Sequence, residues 1–69
     1  MPSTAIRAFS YDETNRDLTI TFVSGRRYVY EGVPAAVYDA FKDASSRGGF
    51  FNHQIRDHYR FFEIGRRKR

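Results

Sequence analysis

The side chains best suited to chemistry lie in the last third of the chain. His53 and His58 are five residues apart, which on a helix separates them by about 140°. That separation does not fit one metal ion, and the chain has no cysteine to complete a zinc site. His53 and Asp57 have the helical spacing of four, but no second base or metal cluster supports a nuclease. We therefore expect no catalysis, no metal and no cofactor.

The segment 47–60 is better suited to binding, because flat rings and guanidinium groups recur along it. Guanidinium groups bind phosphates, and both kinds of group stack on unpaired bases. The candidates are Arg47, Phe50, His53, Arg56 and Arg60. Gly48-Gly49 would allow close backbone approach, and helix amides nearby would face an anion. The alternative is structural: Phe50 or Phe51 fills the core, and the glycines only permit a tight turn.

Positive charge is concentrated in the same part of the chain. Residues 1–46 carry five basic and six acidic side chains, whereas residues 47–69 carry seven basic and two acidic ones. The excess ends in a basic tail that has no apolar anchor and is expected to be mobile: Arg66, Arg67, Lys68 and Arg69. Localised positive charge suits a polyanion, because neutralised phosphates release condensed counterions. A merely solubilising tail is the alternative.

Length and composition predict one small domain. A chain of 69 residues, 41% of them hydrophobic, has one modest core and gains from a partner subunit. Since cysteine is absent, a reducing compartment is expected. Residues 1–5 do not resemble a signal peptide, and no apolar run reaches the roughly 20 residues of a membrane span. These features predict a cytoplasmic protein with no membrane association.

Three strands are predicted ahead of this basic part. The first covers Thr4 to Tyr11, and the polar segment 12–17 forms a turn. In the second, residues 18–23, apolar and polar side chains alternate as in a half-buried strand. The third follows the turn at Ser24-Gly25 and covers Arg27 to Glu31. An antiparallel meander is the expected arrangement.

The hairpin loop decides where Tyr28 and Tyr30 point. A two-residue loop would place both rings beside Thr19 and Thr21, exposed to solvent as a base-stacking platform. A three-residue loop, with Gly25 in a left-handed conformation, would place them with the apolar residues of strand two beneath the helices. We favour the second arrangement because it separates polar from apolar side chains more cleanly. The solvated face would then hold Thr19, Thr21, Arg27, Val29 and Glu31.

Two helices follow the meander. Pro34 suits the first helical position, and one apolar stripe follows it: Val37, Ala40, Phe41 and Ala44. Ser45-Ser46 would cap a second helix, from about Arg47 to Asp57, with Phe51 and Ile55 on one face. Residues 60–64 fit either a short fourth strand or an extended segment. The predicted fold is α+β: a three-stranded antiparallel meander, then two helices.

Several short motifs occur in a recognisable order: Tyr28-Val29-Tyr30, Val33-Pro34, Ala44-Ser45-Ser46-Arg47-Gly48, Phe50-Phe51-Asn52 and Ile55-Arg56. Ser10-Tyr11-Asp12 and the stretch from Leu18 to Gly25 also fit. In this order and spacing the sequence resembles a KTSC domain, a module at the C-terminus of some lysyl-tRNA synthetases and in small stand-alone bacterial proteins. The resemblance covers Thr4 to about Tyr59. We predict one KTSC-like domain over residues 1–64; the basic tail, residues 65–69, lies beyond the motif.

The resemblance implies an RNA partner, because the module accompanies a tRNA-handling enzyme. Ligase activity is not implied, since these residues include no synthetase body. The first hypothesis is a non-catalytic RNA-binding module that uses the second helix and the tail. Its RNA could be tRNA, and DNA is a competing polyanion. The second is a protein-interaction module, forming a weak homodimer or binding a partner through a sheet edge or aromatic patch.

Overall fold

The computed structural model describes residues 6–64, so the basic tail and the first five residues lie outside the described range. Four antiparallel strands form one sheet in the order β1-β2-β3-β4. They are β1 (Ile6–Asp12), β2 (Asp17–Phe22), β3 (Arg27–Tyr30) and β4 (Phe61–Glu63). Between β3 and β4 lie α1 (Ala35–Asp43), α2 (Arg47–Phe50) and a π-helical segment (Phe51–Ile55). The predicted α+β fold is confirmed, and β4 is the short fourth strand.

The hairpin between β2 and β3 has the three-residue loop that the sequence favoured. The Phe22 N–H donates to the Arg26 carbonyl at 2.9 Å, and the Gly25 N–H donates to the Phe22 carbonyl at 2.8 Å. Gly25 has a φ of +96°, which glycine adopts without steric cost. The register opposes Leu18 to Tyr30. The prediction that both tyrosines join the apolar face of β2 is confirmed.

The helices cover one face of the sheet, and the core lies between the two layers. Its buried side chains are Leu18, Ile20, Tyr30, Val33, Phe41, Phe51 and Ile55. The opposite face carries the predicted Thr19, Thr21 and Arg27. Val29 on that face is only 8% exposed, so the prediction of a fully solvated surface was wrong there. Thr19 and Phe62 flank Val29 in the sheet register, which accounts for its burial.

The predicted apolar stripe of α1 was partly wrong. Val37 and Phe41 face the core, but Ala40 is exposed, and Ala44 lies beyond the helix end with extended backbone. Tyr38 packs inward instead, because its ring stacks on Tyr11 with centroids 4.4 Å apart. A tyrosine ring buries far more apolar surface than an alanine methyl group. Packing therefore selects a helix face slightly rotated from the predicted one.

The second helix is capped as predicted but changes type along its length. The Ser46 Oγ accepts a hydrogen bond from the Gly49 N–H at 3.1 Å. After α2 the helical turn is wider, because the Arg56 N–H donates to the Phe51 carbonyl, five residues earlier, at 2.8 Å. The single α-helix predicted to Asp57 is thus an α-helical turn followed by a π-helical one. No helix within residues 6–64 is long and apolar enough to span a bilayer.

Candidate functional site: an aromatic cleft

An open cleft of about 630 Å³ lies between the β2–β3 hairpin, β4 and the π-helical segment. This volume is within the range of about 300–1,000 Å³ typical of ligand sites. Each of these elements contributes aromatic side chains to the lining: Phe22, Tyr28, Tyr30, Phe51 and Phe61. The cleft brings strand residues far apart in sequence against the end of the helical layer.

The five rings contact one another in a closed circuit. Phe22 meets Tyr28 edge-to-face with centroids 5.7 Å apart, and Tyr28 is tilted against Phe61 at 5.9 Å. Phe61 stacks on Tyr30 at 5.2 Å, and Tyr30 meets Phe51 edge-to-face at 5.2 Å. Phe51 closes the circuit against Phe22 at 5.6 Å. These separations fall in the favourable range for aromatic pairs, so each ring holds its neighbours in place.

The rings differ in how much surface they present to solvent. Phe51 is 2% exposed and Tyr30 is 4% exposed, so both belong to the floor of the cleft and to the core. Phe22 and Tyr28 are half-buried, whereas Phe61 on the edge strand is 53% exposed. A flat ligand would therefore find its contact surface on Phe61 and the two half-buried rings.

Polar side chains complete the lining with two positive charges and one negative charge. Arg26 and Arg56 are the cations, Asp57 is the anion and Ser24 supplies a hydroxyl. The hydrogen bond that the Arg26 guanidinium donates to the Tyr28 hydroxyl, and then the charge of the Glu63 carboxylate, raise the pKa of Arg26 above its ordinary value. The Arg56 Nη1 donates to the Asn52 Oδ1 at 3.2 Å, which orients this guanidinium without neutralising it.

Burial raises the pKa of Tyr30 to about 12, and the Tyr28 hydroxyl adds to the shift. The positive charge of Arg56 lowers this pKa, and the negative charge of Asp57 raises it.

The raised pKa of Tyr30 makes the stability of the fold depend on pH. Because the folded pKa lies above the unfolded one, the contribution of Tyr30 to stability is complete below about pH 10 and is lost as pH rises toward about 12. Between about pH 9 and about pH 11 the native protein should lose about 1.4 kcal/mol more unfolding free energy than Tyr30→Phe. Urea unfolding of both proteins measures this. Equal losses would show that the Tyr30 phenol ionises as it does in the unfolded chain.

Of the residues that the sequence proposed for binding, the structure places Arg56 in the cleft. Arg47 lies at the junction of α1 and α2, where its Nη2 donates to the Lys42 carbonyl at 3.3 Å. Its guanidinium carbon lies 5.4 Å from the centroid of the Phe9 ring. Phe50 is half-buried and contacts Phe41, with centroids 6.1 Å apart. Arg47 and Phe50 thus support the packing of the helices on β1.

The remaining proposed residues are exposed or lie outside the described range. The ring Nε2 of His58 is 3.0 Å from the carbonyl oxygen of His53, so the two histidines form a local contact. The Arg60 carbonyl accepts from the Glu31 N–H at 2.9 Å, and the Arg60 side chain is exposed. Arg66, Arg67, Lys68 and Arg69 lie outside the described residues. Within residues 6–64 no cluster of His, Cys, Asp or Glu could hold a metal ion.

Two backbone amides of α2 are already engaged by Ser46. Gly49 donates to the Ser46 side chain, and Phe50 donates to the Ser46 carbonyl at 2.9 Å. A Cβ at Gly49 would lie 3.1 Å from the Ser46 Oγ, closer than side chains ordinarily approach. At Gly49 the structure thus supports the structural alternative, a glycine that permits a tight capped turn.

Sequence reasoning missed Phe22, Arg26, Asp57 and Phe61 as site residues. Phe61 opposes Tyr30 in the register of β4 with β3, so its side chain shares the face of the tyrosines. Alternation along β4 would have indicated this face, had the pairing of β4 with β3 been known. Arg26 follows the hairpin turn directly, and loop residues beside a rigid sheet frequently carry function.

The fold and the cleft together define a small α+β domain with an aromatic cleft at one edge of its sheet. The sequence profile of the KTSC domain matches residues 2–59. The chain therefore belongs to the KTSC domain family, as the motifs of the sequence suggested. A crystal structure of a KTSC domain protein from Yersinia pestis superposes with a TM-score of 0.82 at 35% identity, covering 94% of each chain.

Two kinds of relative, small proteins and much larger enzymes, contain a similar sequence. A protein of Stutzerimonas stutzeri is 37% identical over 65 residues, which are 93% of this chain and 92% of the relative. A lysine–tRNA ligase of Nostoc punctiforme is 37% identical over 59 residues. The match covers 86% of this chain but only 10% of the ligase. The same domain thus occurs in small proteins and as a minor part of a much larger enzyme.

Proposed function

We propose that this KTSC domain is a non-catalytic RNA-binding module. The observation that carries the proposal is that no arginine within the described residues forms a close ion pair with a carboxylate. Residues 6–64 contain seven arginines, yet the ion pair found in this range joins Lys42 to Asp39, at 3.6 Å. Guanidinium groups without a close carboxylate partner are available to phosphates, which they bind in a planar, bidentate geometry.

The relatives support RNA as the polyanion. A ligase that acts on tRNA carries a region similar to this chain, and a domain attached to such an enzyme has RNA within reach. This association is weaker than an argument from the site, which rests on Arg26 and Arg56 beside an aromatic cleft. Rings and guanidinium groups in one place are typical of proteins that bind unpaired bases.

Protein interaction is the second candidate, and Phe62 favours it. This ring is 50% exposed on the sheet face that the helices leave bare, in a three-residue edge strand. An exposed edge strand can pair with a strand of another chain. An interface formed in this way would depend little on salt, whereas an RNA complex would weaken steeply.

A titration of isotope-labelled protein with single-stranded RNA of mixed sequence, followed by NMR at low salt, tests the proposal. Amide shifts should concentrate around Arg26, Arg56 and Arg60. The logarithm of the affinity should fall linearly with the logarithm of the salt concentration, by about 0.7 per neutralised phosphate. Arg56→Ala should reduce the magnitude of that slope by about 0.7. The RNA should remain intact with divalent metal present.

Arg27→Ala is the matched control, because Arg27 is an exposed arginine on the opposite face of the sheet. It removes the same charge, and its slope should stay closer to that of the unmodified protein. Shifts confined to Thr19, Thr21 and Val29 would move the interface to the bare face. If no amide shifts at low salt, the chain does not bind RNA, and a protein partner becomes the better explanation.

A further inference from the structure

The circuit of five rings has the size and chemistry of a site for one nucleobase. We infer that the cleft holds a single unstacked base of the bound RNA strand, with the adjoining phosphate between Arg26 and Arg56. This inference rests on the proposed function and specifies the contact within it. A base that leaves its stack needs a replacement ring surface, and a base on an aromatic side chain recovers that energy.

Phe61 supplies the accessible ring surface. The side chain is 53% exposed, yet stacking on Tyr30 and contact with Tyr28 hold the ring in one orientation. A ring that is both exposed and fixed loses little conformational entropy when it binds a ligand. It is therefore a better platform than a freely rotating surface phenylalanine.

The charges of the lining distinguish a nucleotide from the other ligands that aromatic sites bind. Circuits of rings also accommodate quaternary ammonium groups, which favour the negative faces of the rings. Two guanidinium groups and one carboxylate line the cleft, and Glu63 lies near Arg26 outside the lining, so a ligand with a negative charge has two cationic partners. A phosphate joined to a flat base meets both requirements.

Asp57 sets the preference among bases. An ionised carboxylate only accepts hydrogen bonds, and the amino groups of cytosine, adenine and guanine can donate to it. Uracil has no amino group, and its one base donor, N3–H, lies between two carbonyl oxygens that repel a carboxylate. The cleft should therefore prefer a base with an amino group over uracil, and Asp57→Asn should lower this preference because an amide both donates and accepts.

Fluorescence anisotropy with labelled single-stranded oligocytidylate and oligouridylate tests the inference. Phe61→Leu should weaken oligocytidylate binding by about 5- to 100-fold, the usual effect of losing one stacked base. Phe62→Leu is the matched control: this adjacent ring is 50% exposed but lies on the opposite sheet face. The affinity of Phe62→Leu for oligocytidylate should stay within about twofold of the affinity of the unmodified protein. Circular dichroism of both variants confirms that each retains the fold.

The outcomes separate the cleft from the wider function. If the unmodified protein binds RNA but Phe61→Leu and Phe62→Leu bind equally well, the single-base site is refuted while RNA binding stands. Equal affinity for the two homopolymers refutes the role of Asp57. If no RNA binds at low salt, the proposed function fails together with the inference. A chemical-shift response of the cleft to tetramethylammonium, with none to cytidine monophosphate, would identify a cation site instead.

Discussion

Replacing Tyr30 with alanine is expected to lower the free energy of unfolding by about 3–5 kcal/mol. Tyr30 is 4% exposed, stands opposite the fully buried Leu18 and contacts both Phe51 and Phe61. Alanine would leave a cavity between the sheet and the π-helical segment. A domain of 69 residues has a total stability of only about 3–10 kcal/mol. Urea unfolding followed by circular dichroism would therefore show a destabilised or largely unfolded protein.

Tyr28→Ala is the comparison, because Tyr28 lies on the same strand and face but is only half-buried. Tyr28→Ala should lower the free energy of unfolding by less, about 1–3 kcal/mol. Tyr30→Leu keeps most of the apolar volume and provides a measurable value if Tyr30→Ala does not fold. A loss for Tyr28→Ala that equals or exceeds the loss for Tyr30→Ala would contradict the burial assigned to the two rings.

The position of these tyrosines could be predicted because the information is local. Alternation from Leu18 to Phe22 identifies the buried face of β2. The loop of three residues ending at Gly25 then determines which side chains of β3 lie on that face. Ser46 as a helix cap was also predictable, since a serine ahead of a helical pattern satisfies its free amides. Each of these inferences needs only residues that are close in sequence.

The cleft could not be predicted in the same way. It depends on the return of β4 to pair with β3, which places Phe61 opposite Tyr30 across 31 residues of chain. It also depends on the π-helical turn that ends beside Arg56, and apolar spacing does not distinguish a π-helix from an α-helix over one turn. For Arg47 the sequence shows the charge of the side chain but not its surroundings. Its charge predicts a phosphate contact, which stays a prediction, but the sequence did not indicate that its guanidinium lies over Phe9 and near the end of α1.

Removal of the basic residues 66–69 is expected to have the largest effect on RNA binding. Four positive charges would be lost, and single strands contribute a salt slope of about 0.7 per neutralised phosphate. The slope should therefore fall in magnitude by about 1–3 units, and affinity at low salt should weaken for all RNA sequences alike. Anisotropy titrations at several salt concentrations, with oligocytidylate and oligouridylate, measure both effects.

A charge-conserving variant separates the charge of the tail from the chemistry of its guanidinium groups. With Arg66, Arg67 and Arg69 changed to lysine, the chain keeps four cations, so the slope should stay close to that of the full chain. Deletion should leave the ratio of affinities for the two homopolymers unchanged, because phosphate contacts position a strand but do not distinguish its bases. Phe61→Leu should do the opposite, with little effect on the slope and a lower affinity for oligocytidylate. A deletion that abolished the base preference would show that the tail, rather than the cleft, reads the RNA.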